Sequence, residues 1–184
     1  PMALSEEGSD VLSSNGILRP LAPRSKFGSR DMGPLFSIVL PMFNVQEFLP
    51  DCIESILSQS CGEFEAIFVD DGSTDASPTI VEKYAARDPR IVLLRQDNSG
   101  AGAARNHGLS VATGDYLVFL DPDDFFESDL LSSILESIEQ HHSDVVLFNA
   151  RQYKNDSGEY FEPMHYFRPA IVSKYPVFCA RDIP

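Results

Sequence analysis

Short apolar runs alternate with segments of helical spacing along most of this sequence. Each run is rich in branched and aromatic residues, which is typical of a strand inside a parallel sheet. The runs predict strands over 36–40, 64–69, 90–95, 116–120 and 144–149. Between them, apolar residues recur every three or four positions and predict helices over 45–58, 75–86, 103–113 and 128–140.

Proline, glycine and hydroxyl residues mark the predicted ends of several elements. Pro41 cannot donate to a ladder and is expected to stop the first strand. Ser73 or Thr74 is expected to cap the second helix, and Gly114 to close the third. Because strands and helices alternate through short loops, the sequence predicts an α/β fold with a mainly parallel sheet flanked by helices.

Four polar loops follow the strand ends, at 41–44, 70–75, 96–102 and 121–124. Ligands of open α/β sheets bind beyond the carboxyl ends of the strands. These loops are therefore expected to line one cleft.

The two ends of the sequence differ from the predicted core at 35–150. Residues 1–34 are rich in Ser, Gly, Pro and Arg and predict an arm or linker, either disordered or packed on a partner chain. Residues 151–184 carry many aromatics and a turn signal at 154–158, which predicts a hairpin-like extension. Since the chain begins with Pro1, it is expected to be a piece of a longer protein.

Charge and composition exclude several classes of partner. The sequence has 28 acidic and 14 basic residues, a net charge of −14, which argues against a nucleic-acid surface and against unaided adsorption to an anionic bilayer. No apolar run reaches the length of about 18 residues that a transmembrane helix needs. Cys52, Cys61 and Cys179 lack metal-binding spacing, which favours free thiols and a cytoplasmic location. Peripheral association of the parent protein with the inner membrane face, and a homo-oligomer, stay open.

Crowded carboxylates follow two of the predicted strands. Asp121, Asp123 and Asp124 come directly after one, and Asp70 and Asp71 end another. Carboxylates this close raise one another's pKa unless a cation lies among them. Hard oxygen ligands suit Mg²⁺ or Mn²⁺, and a divalent ion holding a phosphorylated ligand explains such a cluster.

The loop sequences resemble the successive motifs of family 2 glycosyltransferases, which have the GT-A fold. The resemblance covers about 35–150 and is carried by 37–44, 68–75, Asn98 with 100–108, and 121–124, where Asp121-Pro122-Asp123 matches the DxD motif. It implies an inverting, metal-dependent hexosyltransferase that uses a nucleotide-diphosphate sugar, typically a UDP-sugar. The implied acceptor is a saccharide or glycoconjugate in polysaccharide biosynthesis, and residues 151–184 would begin the acceptor region.

The resemblance also implies roles for particular positions. The first loop and the end of the second strand would hold the nucleoside base, and the glycine-rich segment would reach the base and the donor's phosphate or sugar. Asp123 would ligate Mn²⁺ or Mg²⁺, and Asp121 would bind ribose or assist the metal. The full nucleotide-sugar set is Pro41, Phe43, Asn44, Glu47, Asp70, Asn98, Gly100, Arg105, Asp121 and Asp123.

Other interpretations of these residues stay open at this point. Phe43 is also consistent with core packing, Glu47 with a charge at a helix start, and Arg105 with a surface ion pair. The Asp-Gly-Ser-Thr-Asp sequence makes Asp71 and Asp75 turn and cap residues rather than ligand contacts. His107 follows the glycine-rich segment without a ligand role.

The catalytic base of the family is not evident in this chain. Inverting members take the acceptor proton with a carboxylate in a Glu-Asp motif well beyond the DxD motif. No Glu-Asp pair occurs in this sequence, and Asp182 is the only late candidate. The alternative function is therefore a non-catalytic nucleotide-binding or assembly module. A nucleotidyltransferase is disfavoured, since no glycine-rich loop with a basic signature follows the first strand.

Overall fold

The computed structural model describes residues 33–142, 144–148, 150–154 and 158–164. The chain divides into two compact units, Pro1–Ser128 and Asp129–Pro184. The predicted arm lies almost wholly outside the described residues, as do Asp182 and the aromatics beyond residue 164. The predicted domain boundaries at 34 and 150 stay predictions.

The first unit contains a four-stranded parallel sheet in the order β3-β2-β1-β4. The alternation of strands and helices is as predicted, so the α/β expectation is confirmed. The elements are β1 Phe36–Met42, α1 Leu49–Leu57, β2 Phe64–Asp70, α2 Ser77–Ala85, β3 Ile91–Arg95, α3 Ala101–Val111 and β4 Tyr116–Phe119.

The core lies on both faces of β1 and β2, whose residues are almost all buried. On one face, Val39, Ile67, Val69 and Ala104 form a buried cluster, so α3 packs directly on the sheet. Gly108 permits this close approach, because a Cβ there would lie 2.5 Å from Val39 Cγ1.

The first strand continues through Pro41 instead of stopping before it. The Val39 carbonyl accepts a bond from the Leu120 amide on the β4 side, while Met42 accepts from Asp71 beyond the end of β2. Pro41 therefore faces the β4 side, where the ladder has already ended at Val39↔Phe119. A proline at this position loses no hydrogen bond of the sheet, because no strand is paired on that side. The prediction that Pro41 stops the first strand was therefore wrong.

Two predicted helix boundaries also differ. The second helix has Ala76 at its N-cap without a side-chain bond, and Asp75 Oδ1 instead accepts from Ser77 N. The third helix begins at Ala101 and has Ala112 at its C-cap. Gly114 lies beyond that cap, where a Cβ would meet the backbone of β1. A close approach between backbones, not helix termination, requires this glycine.

The strand before the acidic cluster is only partly buried. Val118 is buried, while Leu117 and Phe119 are 37% and 45% exposed. β4 is the last strand in the sheet order, so the uniformly buried strand expected from its apolar sequence is wrong. Its alternation is typical of a strand with one covered face.

The second unit contains α4 Leu130–His141 and a hairpin of β5 Ala150–Lys154 with β6 Glu159–Met164. The hairpin was predicted, and its Tyr153 and Tyr160 ring centroids lie 5.1 Å apart. The predicted strand at 144–149 is wrong, because 144–148 has no regular structure and Val145 is 72% exposed. Among the described residues, no helix is long and apolar enough to cross a bilayer.

Candidate functional site

The loops after β1 and β2 are joined by Asn44. Its backbone lies in the left-handed region at φ 52°, and its Oδ1 accepts from Thr74 N at 2.8 Å. Its own N–H donates to Ser73 Oγ. Asparagine tolerates this conformation better than most residues. The carboxamide oxygen of Asn44 therefore holds the neighbouring loop, and its contact with a ligand stays a prediction.

Asp70 ends β2 with one carboxylate oxygen engaged and one available. The residue is 5% exposed, and its Oδ1 accepts from Ser73 N at 3.0 Å. Within the described residues, Oδ2 has no hydrogen-bond partner. No buried side-chain oxygen or nitrogen in this part of the chain is unpaired, so Oδ2 reaches solvent.

Asp71 organises the loop of residues 96–100, called the donor loop below. Oδ1 accepts from Gln96 Nε2 and Ser99 N, and Oδ2 accepts from Gly100 N, all at 2.8 Å. Burial raises the pKa of Asp71, but the bonds from Ser99, Gln96 and Gly100 outweigh it and hold the pKa below its ordinary value. Asp71 is thus more than the turn residue expected from the sequence.

The donor loop has a further partner in α3. His107 Nδ1 lies 3.0 Å from Gln96 Oε1. Gly100 has φ 87°, a conformation that glycine adopts readily, and immediately precedes α3. Gln96 was predicted only as part of the cleft loop at 96–102 and His107 was given no ligand role, because their partners lie far away in the sequence and no local pattern marks the contacts.

Arg105 and Asp121, both predicted site residues, form an ion pair. Arg105 Nη2 lies 2.5 Å from Asp121 Oδ1, with side-chain exposures of 36% and 53%. The interpretation of Arg105 as an ion-pair residue therefore holds, and its partner Asp121 is itself a predicted site residue. An exposed ion pair contributes only about 0–1 kcal/mol to stability. Because the pair is weak, the guanidinium can rearrange to contact a ligand.

Residues 121–124 form a tight turn, called the acidic turn below. The Asp124 N–H donates to the Asp121 carbonyl at 2.9 Å, with Pro122 at the second position, where proline is favoured. The turn exposes Asp121 and Asp123. Within the part of the chain that is described, the Asp123 carboxylate has no hydrogen bond or ion pair.

Helix α1 and the residues directly after it anchor the segment that follows this turn. Ser55 Oγ accepts from Phe126 N at 3.1 Å, Gln59 Nε2 donates to the Glu127 carbonyl at 2.7 Å, and Ser60 N donates to the Ser128 carbonyl. These bonds hold the acidic turn against α1. Neither Ser55 nor Gln59 was singled out from the sequence.

The acidic turn fits a divalent cation that would be held partly by a carboxylate of the turn and partly by the phosphates of a ligand. Burial raises the pKa of Asp124, and the charges of Asp123 and Asp121 raise it further. No group of three metal-binding side chains occurs among the described residues. Mg²⁺ is commonly held by one or two carboxylates together with substrate phosphates and water. Asp123 can supply such a carboxylate, and Asp121 is already paired with Arg105.

The remaining predicted contacts lie around the first loop. Phe43 is 47% exposed, so it is not a core residue, and Glu47 is also exposed. Glu47 lines an open pocket of about 200 Å³ together with Asn44, Val45, Gln46, Phe48 and Asp75. Pro41 is buried inside β1, and its contact with a ligand stays a prediction. Asn98 is exposed in the donor loop.

Comparisons with known proteins agree with this architecture. The sequence profile of glycosyl transferase family 2 matches residues 37–181. The chain is 40% identical over 132 residues to the uncharacterized glycosyltransferase EpsJ of Bacillus subtilis, covering 72% of this chain and 38% of the relative. It is 36% identical over 131 residues to the glycosyltransferase GlyG of Streptococcus pneumoniae, covering 71% of this chain and 44% of the relative.

A crystal structure of S. aureus TarS 1–349 in complex with UDP has the same fold. It matches with a TM-score of 0.61 and 34% identity, over 67% of this chain and 37% of that one. TarS 1–349 has also been crystallised with UDP-GlcNAc. The chain thus spans about two fifths of the length of the curated relatives given above.

Proposed function

The chain belongs to glycosyl transferase family 2, and we propose that it is the donor-binding part of an inverting, metal-dependent hexosyltransferase that uses a UDP-sugar. The proposed acceptor is a saccharide or glycoconjugate in polysaccharide biosynthesis. The proposed location is the cytoplasm, including the inner face of its membrane. TarS, which shares the fold at 34% identity, has been crystallised with UDP and UDP-GlcNAc.

One observation carries the proposal: complementary groups occur at the carboxyl edge of the sheet. Asp70 presents a free oxygen at the end of β2, and Asp123 follows β4 beside the Arg105–Asp121 pair. Adjacent parallel strands end at the same edge. A uridine diphosphate needs a hydrogen-bond acceptor for its base, and a cation and a metal-binding carboxylate for its phosphates. Asp70, Arg105 and Asp123 are candidates for these three roles at this edge.

The first loop and Asp70 would bind the base. Asp70 Oδ1 already accepts from Ser73 N, so Oδ2, which has no hydrogen bond within the described residues, is the oxygen more available to a ligand. Uracil has a single imide N–H, which matches one acceptor. Phe43, being 47% exposed, can stack on the ring.

Arg105 and the acidic turn would bind the remainder of the donor. Since Arg105 orients Asp121, we assign Asp121 to the ribose hydroxyls and Asp123 to the metal. A Mg²⁺ or Mn²⁺ ion at Asp123 would neutralise charge on the departing diphosphate. In the transfer, the acceptor oxygen bonds to the anomeric carbon as the bond to diphosphate breaks, and the hydroxyl proton passes to a base. No residue of this chain is assigned as that base.

A second candidate function follows from the missing base. The sequence has no Glu-Asp pair, so a module that binds the nucleotide without turnover is the alternative. Sugar transfer or donor hydrolysis by the 184-residue chain would reject the binding module. UDP binding without either reaction would favour it.

Substitution Asp123→Ala is expected to abolish the metal-dependent part of UDP binding, because it removes the proposed metal carboxylate. Titration calorimetry with UDP, with and without Mn²⁺, measures this effect. Asp115→Ala, at the opposite end of β4, is the matched control and should bind UDP like the wild-type chain. Absence of UDP binding by the wild-type chain, or full metal-dependent binding by Asp123→Ala, would contradict the proposal.

The single free oxygen of Asp70 predicts discrimination between bases. Guanine presents two adjacent N–H donors, one of which would have to compete with Ser73 N for Oδ1 of Asp70 or be left without an acceptor. An unsatisfied donor costs about 1–3 kcal/mol, so UDP should bind roughly tenfold or more tightly than GDP. Competition calorimetry compares the two nucleotides, and Asp70→Asn should lose the preference. Equal affinities in the wild-type chain would refute this base assignment.

A further inference from the structure

Three side chains form a continuous series of hydrogen bonds behind the donor loop. Asp71 accepts from the Gln96 amide at 2.8 Å, and the Gln96 oxygen lies 3.0 Å from His107 Nδ1. Asp71 also accepts from Ser99 N and Gly100 N. The series, called the Asp71 relay below, runs from the end of β2 through the end of β3 to α3.

The chemistry of Asp71 determines how the rest of the relay is arranged. Its pKa lies below the ordinary value, so the carboxylate is ionised at neutral pH and can only accept hydrogen bonds. The Gln96 group facing it must therefore be the NH₂. The Gln96 oxygen then faces His107, and Nδ1 can bond to it only by donating.

We propose that His107 is a positioning residue for the donor site: its Nδ1–H orients Gln96, Gln96 orients Asp71, and Asp71 holds Ser99 and Gly100. A neutral His107 must then be the Nδ1–H tautomer, because its hydrogen bond to the Gln96 oxygen requires the proton to be on Nδ1. The inference rests on the proposed function, since the donor loop is where the nucleotide would bind.

The relay matters because it fixes the loop before a ligand arrives. Gly100 has φ 87° and precedes the first turn of α3, and Asn98 is exposed two residues earlier. Loops ordered in advance lose less conformational entropy on binding. Without the His107 donor, the Gln96 oxygen lacks its partner and the amide is free to rotate away from Asp71.

Three substitutions of His107 separate the donor from ring packing. The side-chain nitrogen of asparagine is bonded to Cγ, as Nδ1 of histidine is. The side-chain nitrogen of glutamine lies one bond further from the backbone, as Nε2 of histidine does. His107→Asn should therefore keep UDP affinity within about threefold, while His107→Gln and His107→Phe should weaken it roughly tenfold or more. Titration calorimetry with Mn²⁺ measures the affinities, and thermal unfolding confirms that each variant is folded. Equal affinities for all three variants, high or low, would overturn the proposal.

Two measurements on the wild-type chain do not depend on any variant or on UDP. Nitrogen-15 NMR of the imidazole at alkaline pH should show a protonated Nδ1 and an unprotonated Nε2 for His107. Hydrogen exchange should show protected Ser99 and Gly100 amides, with protection lost in His107→Gln and kept in His107→Asn. An Nε2–H tautomer, or equal protection in both variants, would overturn the relay. A wild-type chain that shows the relay but does not bind UDP would reject only the proposed function.

Discussion

Substitution Asp71→Ala is expected to lower the free energy of unfolding by about 3 kcal/mol, because bonds to a charged group each contribute about 1.5–3 kcal/mol and are not fully additive. Three bonds are lost at once, to Gln96, Ser99 and Gly100. Asp71 is only 4% exposed, so water cannot readily replace it. UDP affinity should also fall by roughly tenfold or more, since the donor loop is released.

Urea unfolding monitored by circular dichroism measures the loss, and Asp97→Ala is the control. Asp97 is exposed in the same loop, and its side chain has no hydrogen bond within the described residues. Asp97→Ala should change stability by less than about 0.5 kcal/mol. A similar stability for both variants would show that Asp71 is only a turn residue.

The stability difference between wild type and Asp71→Ala should depend on pH. The pKa of Asp71 is lower in the folded chain than its ordinary value of 3.8. Its contribution is therefore fully present above that value and is lost as pH falls through the lower, folded-state pKa. The difference in stability between the two proteins should therefore be largest at neutral pH and should narrow as the pH falls below 3.8. A constant difference across this range would contradict the assignment.

Substitution Gly114→Ala is expected to destabilise the chain by about 3 kcal/mol or more, at the upper end for overpacking. A Cβ at this position would lie 2.6 Å from Ser37 N and 2.7 Å from Phe36 C, which are backbone atoms of the central strand. The Gly114 N–H also donates to Ser37 Oγ at 2.8 Å. Neither strand nor loop can move without breaking this packing.

Gly102→Ala provides the matched control for that experiment. No heavy atom lies within 4 Å of a Cβ built at Gly102, which is in α3. Alanine is favoured over glycine inside a helix by about 1 kcal/mol, so this variant should be as stable as wild type or more stable. Thermal and urea unfolding compare the two. Equal stabilities for Gly102→Ala and Gly114→Ala would refute the role of backbone contact.

The order of most elements, the parallel sheet and the position of the motif loops at one edge of it could be predicted from the sequence. Hydrophobic periodicity is a local property, and alternating strands and helices leave few topologies. The motif residues Asp70, Asp121 and Asp123 were placed at the strand ends correctly for the same reason. The prediction of a strand at 144–149 was wrong because an apolar sequence does not determine whether another strand is available to pair with it.

The tertiary structure alone decided which side chains meet. Asp71 was expected to be a turn residue from its local sequence, yet it joins the donor loop through Gln96 and Gly100. Pro41 is tolerated within β1 only because β4 stops pairing first. The contacts of Asp71 and the tolerance of Pro41 depend on the register between strands and on how α3 packs on the sheet. Local periodicity carries no information about either, because both are set by packing between residues far apart in the chain.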